Sequence, residues 1–169
     1  MILRAKRRCQ VLRHEEMTIS SNATKTTFDW PVRVYYEDTD AAGVVFYANY
    51  LRFLERGRTE WLRALGYEQD VLRRDAGILF AVRRVELDYL APALFNDLLT
   101  VRSSLAQIGG ATLTFAQDIR REDILCCRGI VKVACINALT LRPCRLPASL
   151  VSGIQSGTGR LLSASTEYT

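Results

Sequence analysis

VYYEDTDAAGVVFYANYLRFLERGRTEWLRALG, residues 34–66, changes from an acidic loop to a long amphipathic helix. Residues 37–43 are first acidic and then small, a composition typical of a turn or loop. Over residues 50–65, apolar side chains recur at helical spacing on one face and charged side chains occupy the others. Asn49 is placed to cap the start of this helix, and Gly66 is placed to end it. The stretch therefore predicts one long helix directly after an acidic loop. Its expected core contacts are Leu54, Trp61 and Leu65.

Strand patterns flank this helix on both sides. Aromatic and β-branched residues at 28–36 predict one strand, which Pro31 restricts to an edge position or a strand start. After the helix, residues 68–75 predict a short second helix. Apolar residues then alternate with a period of two, which predicts four further strands at residues 78–90, 97–108, 111–121 and 125–141. Because short turn signals such as Gly109-Gly110 separate the last three, the four strands are expected to form a meander.

One long helix against about five antiparallel strands is an α+β arrangement. The chain has 169 residues, 49% of them apolar, which suits a single domain. We expect that domain at residues 28–150, a disordered basic tail at 1–27 and a loose C-terminal tail at 151–169. A single helix covers only one face of such a sheet. The other face, or an edge strand, is left uncovered, and we therefore expect a homo-oligomer.

The net charge of +5 is concentrated in the N-terminal tail. Residues 1–27 carry six Lys or Arg against two Glu, whereas the remainder is nearly neutral. A nucleic-acid-binding protein is expected to carry a basic stripe on its folded body, so no nucleic acid partner is expected. The only histidine, His14, lies in this tail. A folded domain without histidine excludes Ser-His and Cys-His pairs and a histidine-based zinc site.

The five cysteines include no C-x-x-C pair, which favours free thiols in a reducing compartment. The N-terminus has no apolar segment of the kind found in secretory signals. We therefore expect a cytoplasmic protein. Met1 and Met17 are both candidate start residues.

Residues 34–50 resemble the signature of hotdog-fold acyl-CoA thioesterases of the 4-hydroxybenzoyl-CoA thioesterase type, and within it the bacterial branch associated with the Tol-Pal envelope system. The D-x-D-x-x-G-x-V block begins at Asp38 and leads into a helix, and further matches lie at residues 53–60 and 85–92. The resemblance implies a hotdog fold, in which the sheet wraps around the long helix. It also implies dimers or tetramers with active sites between subunits, a position near the inner membrane, and partners among envelope or lipid-synthesis proteins.

The resemblance assigns the catalytic roles to Asp40 and Tyr47. The Asp40 carboxylate acts as nucleophile or as general base for water, and the backbone N–H of Tyr47 polarises the thioester carbonyl. The expected substrate-binding residues are Gly43, Val44, Val45 and Asn49. The physical logic agrees, because a helix N-terminus has unpaired N–H groups and about half a positive charge, which suits a developing oxyanion. No metal or cofactor is expected, since a thiolate is a good leaving group. The Tol-Pal-associated enzymes usually carry a histidine where this chain has Tyr47.

Other interpretations of these residues stay open from sequence alone. Asp40 is also suited to an Asx-turn, and Asp38 to bonding loop amides. Glu55 resembles a helix carboxylate that serves a sister branch, but an ion pair with Arg58 or Arg52 is the expected role. The alternative to an enzyme is a non-catalytic acyl-CoA-binding or scaffold subunit. A dehydratase of similar fold is disfavoured, because those proteins place a histidine in the site.

Overall fold

The structure is a computed structural model, and it describes residues 27–156. Its strands are β1 (Thr27–Arg33), β2 (Ile78–Tyr89), β3 (Leu98–Ile108), β4 (Thr112–Arg121) and β5 (Ile124–Asn137). Its helices are α1 (Asn49–Ala64), α2 (Gln69–Asp75) and α3 (Ala148–Ser156), with a 3-10 turn at Tyr36–Asp38. The predicted tail over residues 1–26 and the last part of the C-terminal tail, residues 157–169, lie outside the described residues.

All five strands form one antiparallel sheet in the order β1-β3-β4-β5-β2. The α+β class and the five strands are confirmed. The four-strand meander is wrong, because β2 pairs with β5 at the far edge and not with β3. Residues 90–97 cross from that edge to β3, over three strand spacings or roughly 14 Å. Eight extended residues cover this distance easily. Local pattern cannot reveal such a crossing, since it is decided by non-local pairing.

Helix α1 packs against the concave face of the sheet through one apolar stripe. Its buried residues recur at spacings of three and four, as a core-facing helix requires. The buried residues of α1 are Asn49, Tyr50, Phe53, Leu54, Gly57, Trp61 and Leu62. Trp61 packs edge-on against Phe115 of β4, with ring centroids 5.1 Å apart. Leu54 and Trp61 are core residues as predicted, and Leu65 is half-buried against the core.

Gly57 allows α1 to approach the sheet closely. A Cβ atom at this position would lie 2.6 Å from Cγ1 of Val101 on β3. At the other end, Gly66 ends the helix with a positive φ of 86°, as predicted. Its N–H donates to Arg63, and that of Tyr67 donates to Leu62, which completes a Schellman motif.

The loose C-terminal tail predicted from residue 151 is wrong for residues 151–156, which belong to α3. Leu150 of this helix is buried, and Val151 and Ile154 pack against the core. The hydroxyl of Tyr67 donates to the carbonyl of Ser149 at 3.1 Å. The serine and glycine content of this segment is typical of a loop. It forms a helix because its apolar residues Leu150, Val151 and Ile154 pack against the core.

Candidate active site

Asp40 lies at the tip of a tight turn between the 3-10 turn and α1. Its N–H donates to the carbonyl of Val44 at 2.9 Å, and Gly43 donates to the carbonyl of Asp40 at 2.9 Å. Gly43 has a φ of 77°, a conformation that favours glycine. The N–H of Ala42 donates to Oδ1 of Asp40 at 2.8 Å, so the Asx-turn interpretation holds. This turn engages one carboxylate oxygen and leaves the side chain exposed to solvent.

Asp38 has the structural role predicted for it. It is buried, and its Oδ2 accepts a hydrogen bond from the N–H of Tyr35 at 2.9 Å. Its backbone carbonyl accepts from the N–H of Phe46 and from Nδ2 of Asn49. The prediction that Asn49 caps α1 is wrong, because Ala48 is the N-cap and Asn49 is the first helical residue. The amide of Asn49 instead ties the helix start to the acidic loop, which places the loop relative to the helix.

The helix start presents free backbone donors. Among the described residues, no acceptor is bonded to the N–H of Tyr47 or of Ala48. The hydroxyl of Tyr89 donates to the carbonyl of Tyr47 at 3.0 Å, which holds the peptide between Tyr47 and Ala48. No hydrogen bond joins Asp40 to Tyr47 within residues 27–156. The Asp40 carboxylate of the loop and the N–H groups at the start of α1 are therefore not bonded to each other.

A shallow pocket of about 300 Å³ lies beside this helix start. Its lining includes the predicted residues Val44, Val45 and Tyr47, whereas Asp40, Gly43 and Asn49 do not line it. Val45 also belongs to the core. The remaining lining residues are Tyr50, Tyr89, Leu90, Ala91 and Pro92.

The sequence analysis did not assign Tyr50 or Tyr89 to the site. Their rings pack edge-on with centroids 5.4 Å apart, and burial raises the pKa of both phenols. The hydroxyl of Tyr50 accepts a hydrogen bond from the N–H of Ala93 at 3.1 Å, so it holds the crossing segment. Both residues lie in segments that carry the family resemblance, and this was the only sequence signal that could have placed them in the site. An aromatic residue in a strand or helix is otherwise expected to belong to the core.

A second cavity lies deeper, between α1 and the sheet. It has a volume of about 90 Å³ and is walled mainly by apolar side chains. They are Trp61, Leu62, Phe80, Val82, Leu113, Phe115 and Val133. An adjoining groove of about 340 Å³ continues along the β2 edge past Leu51, Val82 and Val85. Leu51 lies at the helical spacing of the apolar residues of α1, but it is 40% exposed because it faces this groove.

Arg58 lines both spaces and is held by a buried network. Its Nη1 donates to Oε1 of Gln117 at 2.8 Å. The Nε2 of Gln117 donates to the carbonyl of Leu54 at 3.0 Å and to the hydroxyl of Ser103 at 2.7 Å. Burial lowers the pKa of Arg58 to about 10, which the nearby Glu55 opposes. The guanidinium therefore stays charged at neutral pH.

Glu55 does not form the predicted ion pair with Arg58 or Arg52. Among the ion pairs of residues 27–156, none involves Glu55. Its Oε1 instead accepts a hydrogen bond from the hydroxyl of Thr59, one turn further along α1, at 2.7 Å. The side chain faces the deep cavity and its adjoining groove.

Neither a candidate metal site nor a membrane-spanning helix is found among the described residues. No three His, Cys, Asp or Glu side chains of residues 27–156 come close enough together to hold a metal ion. In the same part of the chain, no helix is long and apolar enough to cross a membrane.

A five-stranded antiparallel sheet packed on a long helix, with a carboxylate turn leading into that helix, is the hotdog arrangement that this chain shares with a solved thioesterase structure. The chain belongs to the thioesterase-like superfamily, whose family model matches residues 34–154. The predictions of fold and of a thioester-cleaving enzyme class are therefore confirmed.

Individual relatives agree with the family assignment. The chain is 42% identical over 120 residues to "Acyl-CoA thioesterase YbgC" of Haemophilus influenzae, a match covering 71% of this chain and 88% of that protein. It is also 42% identical to "Acyl-CoA thioester hydrolase YbgC" of Escherichia coli O157:H7, covering 75% of this chain and 95% of that one. Among solved structures, "Probable Thioesterase from Bartonella henselae" is 35% identical with a TM-score of 0.69, covering 72% of this chain and all of that one.

Proposed function

We propose that this chain hydrolyses acyl-CoA thioesters to a free carboxylic acid and coenzyme A. The observation that carries the proposal is the arrangement of the acidic turn and the α1 start. Asp40 is exposed with one carboxylate oxygen outside the turn, and the Tyr47 N–H has no acceptor within residues 27–156. Relatives that are 42% identical carry the name of this activity.

In the base route, Asp40 takes a proton from water while the water oxygen attacks the thioester carbonyl. The carbonyl oxygen gains negative charge, which the N–H of Tyr47 stabilises at the positive end of the helix. The C–S bond then breaks, and the coenzyme A thiolate leaves. In the nucleophile route, Asp40 attacks the carbonyl itself and water then cleaves the resulting anhydride. Both routes use the same carboxylate, so both require Asp40.

The deep cavity and its adjoining groove are proposed to receive the acyl group. Their walls are mainly apolar, as a hydrocarbon chain requires. The cavity of about 90 Å³ is smaller than the roughly 150 Å³ apolar cavity known to bind benzene. This size favours a narrow aliphatic chain over an aromatic ring at the inner end.

A second copy of the chain is proposed to complete the groove. Strand β2 is a sheet edge of 12 residues, and an unpaired edge of this length is a template for another strand. Val82 and Val85 beside the groove are exposed in the single chain. Pairing along β2 would cover both. The Tol-Pal association, the dimer or tetramer and a position near the inner membrane stay predictions from the resemblance, and the cytoplasmic location stays a prediction from the cysteines and the N-terminal composition.

The test is hydrolysis of short, long and aromatic acyl-CoAs, comparing the unchanged chain with Asp40→Asn. Loss of the thioester absorbance is followed directly, because a thiol reagent would also label the protein cysteines. The variant is expected to lose about 100-fold or more in kcat, since it removes the base or nucleophile. Asp70→Asn, the same change at an exposed position on α2, is the matched control and should leave the rate unchanged.

Two outcomes would contradict the proposal. If Asp40→Asn keeps the rate of the unchanged chain, the carboxylate has no chemical role. If the unchanged chain binds acyl-CoA but turns over no member of the panel, the non-catalytic binding subunit is the better account.

A further inference from the structure

Two thiols outside the candidate active site lie next to each other. The Sγ atoms of Cys135 and Cys144 are 3.6 Å apart, although nine positions separate the residues in sequence. Cys135, near the end of β5, is buried, and Cys144 is half-buried in the segment that leads to α3. All four cysteines of the described residues are free thiols.

The backbone holds this pair in register. Ile136 and Pro143 form an isolated antiparallel bridge, and the N–H of Cys144 donates to the carbonyl of Cys135 at 3.0 Å. The two cysteines are therefore directly opposite each other. Directly opposed residues of antiparallel segments have Cα atoms roughly 4.5–5.5 Å apart, within the usual span of a disulfide. To form the bond, the two sulfur atoms must approach from 3.6 Å to about 2 Å.

The turn that joins the two cysteines is itself well ordered by hydrogen bonds. Oδ1 of Asn137 accepts from the N–H groups of Leu139 and Thr140, and the N–H of Asn137 donates to Arg142. The opposed positions of the two sulfur atoms are consequently a property of the fold and not of a loose end.

We propose that Cys135 and Cys144 form a modification site, a dithiol that hydrogen peroxide converts into a disulfide and that a thiol reductant restores. The sulfur of Cys144 attacks one peroxide oxygen, the O–O bond breaks, and Cys144 becomes a sulfenic acid as water is released. The sulfur of Cys135 then attacks the sulfenic sulfur. The S–S bond forms, the S–O bond breaks, and the hydroxyl leaves as water with the proton of Cys135. Two thiols are oxidised, and one peroxide is reduced to two waters.

The surroundings of the two thiols set the order of these steps. Burial and the contact with Cys144 raise the pKa of Cys135 to about 12, so its thiolate is scarce at neutral pH. Cys144 is the more accessible thiol and is therefore the first to meet the oxidant. Cys135 needs no access to solvent, because its only partner is already in contact.

The experiment is peptide mapping of the full chain after treatment with hydrogen peroxide, with free thiols alkylated before trypsin digestion. Trypsin does not cut between Arg142 and Pro143, so both cysteines stay in one peptide, residues 133–145. The expected result is that this peptide loses two hydrogen masses and resists alkylation, and that dithiothreitol restores both thiols. Cys144→Ser should abolish the change.

The same digest contains an internal control. Cys126 and Cys127 are also buried and share the peptide of residues 122–128. No sulfur–sulfur contact joins them among the described residues, and burial raises the pKa of both thiols, so they should stay reduced. Cys9→Ser should leave the disulfide unchanged. Three results would overturn the proposal: both thiols of residues 133–145 stay free, Cys144 stops at a sulfinic acid, or Cys144 is joined to another cysteine.

Discussion

Replacing Gln117 with methionine removes three hydrogen bonds, two of them between α1 and the sheet and one between β4 and β3, while nearly preserving side-chain length. The bonds to Leu54 and Ser103 are between neutral groups, and the bond from Arg58 is charged. A neutral bond contributes about 1 kcal/mol, and a charged one about 1.5–3 kcal/mol. Gln117 is 2% exposed, so water cannot replace these partners. Allowing for the apolar gain of methionine, the free energy of unfolding should fall by about 3–4 kcal/mol.

Thermal unfolding followed by circular dichroism measures this loss. For a body of this size, each kcal/mol corresponds to about 3–4 °C in Tm, so a decrease of roughly 10–15 °C is expected. The matched control is Gln107→Met, the same change at an exposed position on β3. It should stay within about 0.5 kcal/mol, or roughly 2 °C. If the two variants melt together, the Gln117 network does not hold α1 on the sheet.

Three further changes test other parts of the structure. Tyr89→Phe removes the hydrogen bond to Tyr47 but keeps the ring, so kcat should fall several-fold with KM and Tm nearly unchanged; an equal loss in the binding of acyl-CoA would contradict this. Gly129→Val places a side chain against the backbone of β2, where a Cβ would already lie 2.7 Å from a carbonyl oxygen, and should cost about 1–3 kcal/mol by chemical denaturation. Burial raises the pKa of Cys127 to about 12, so iodoacetamide at pH 8 should alkylate Cys144 before Cys127; early labelling of Cys127, measured by mass spectrometry, would refute its burial.

The stretch at residues 34–66 was sufficient to predict the central helix, its glycine stop and the carboxylate turn before it. These features depend on interactions within a few residues, so local sequence carries them. Asp38 behaves as predicted for the same reason, since a loop carboxylate that bonds a nearby amide is a local device. The family resemblance also began in this stretch, because it holds the D-x-D-x-x-G-x-V block that leads into the helix.

Other features depended on which elements meet in space. Leu51 has the spacing of a core residue, but it faces a groove because the sheet ends at β2. Asn49 has the composition of a cap, but its amide reaches back to Asp38, eleven positions earlier. Residues 151–156 were predicted to be loose, and they form a helix because Leu150 and its neighbours cover an apolar surface.

By itself, the sequence determined the elements, the central helix and the thioesterase class of this protein. Tertiary structure alone decided the β2–β5 pairing, the contact between Tyr89 and Tyr47, and the meeting of Cys135 with Cys144. The physical reason is range. Helix, turn and strand patterns are written in side chains a few positions apart, whereas these contacts join residues whose proximity depends on how the whole sheet closes around α1.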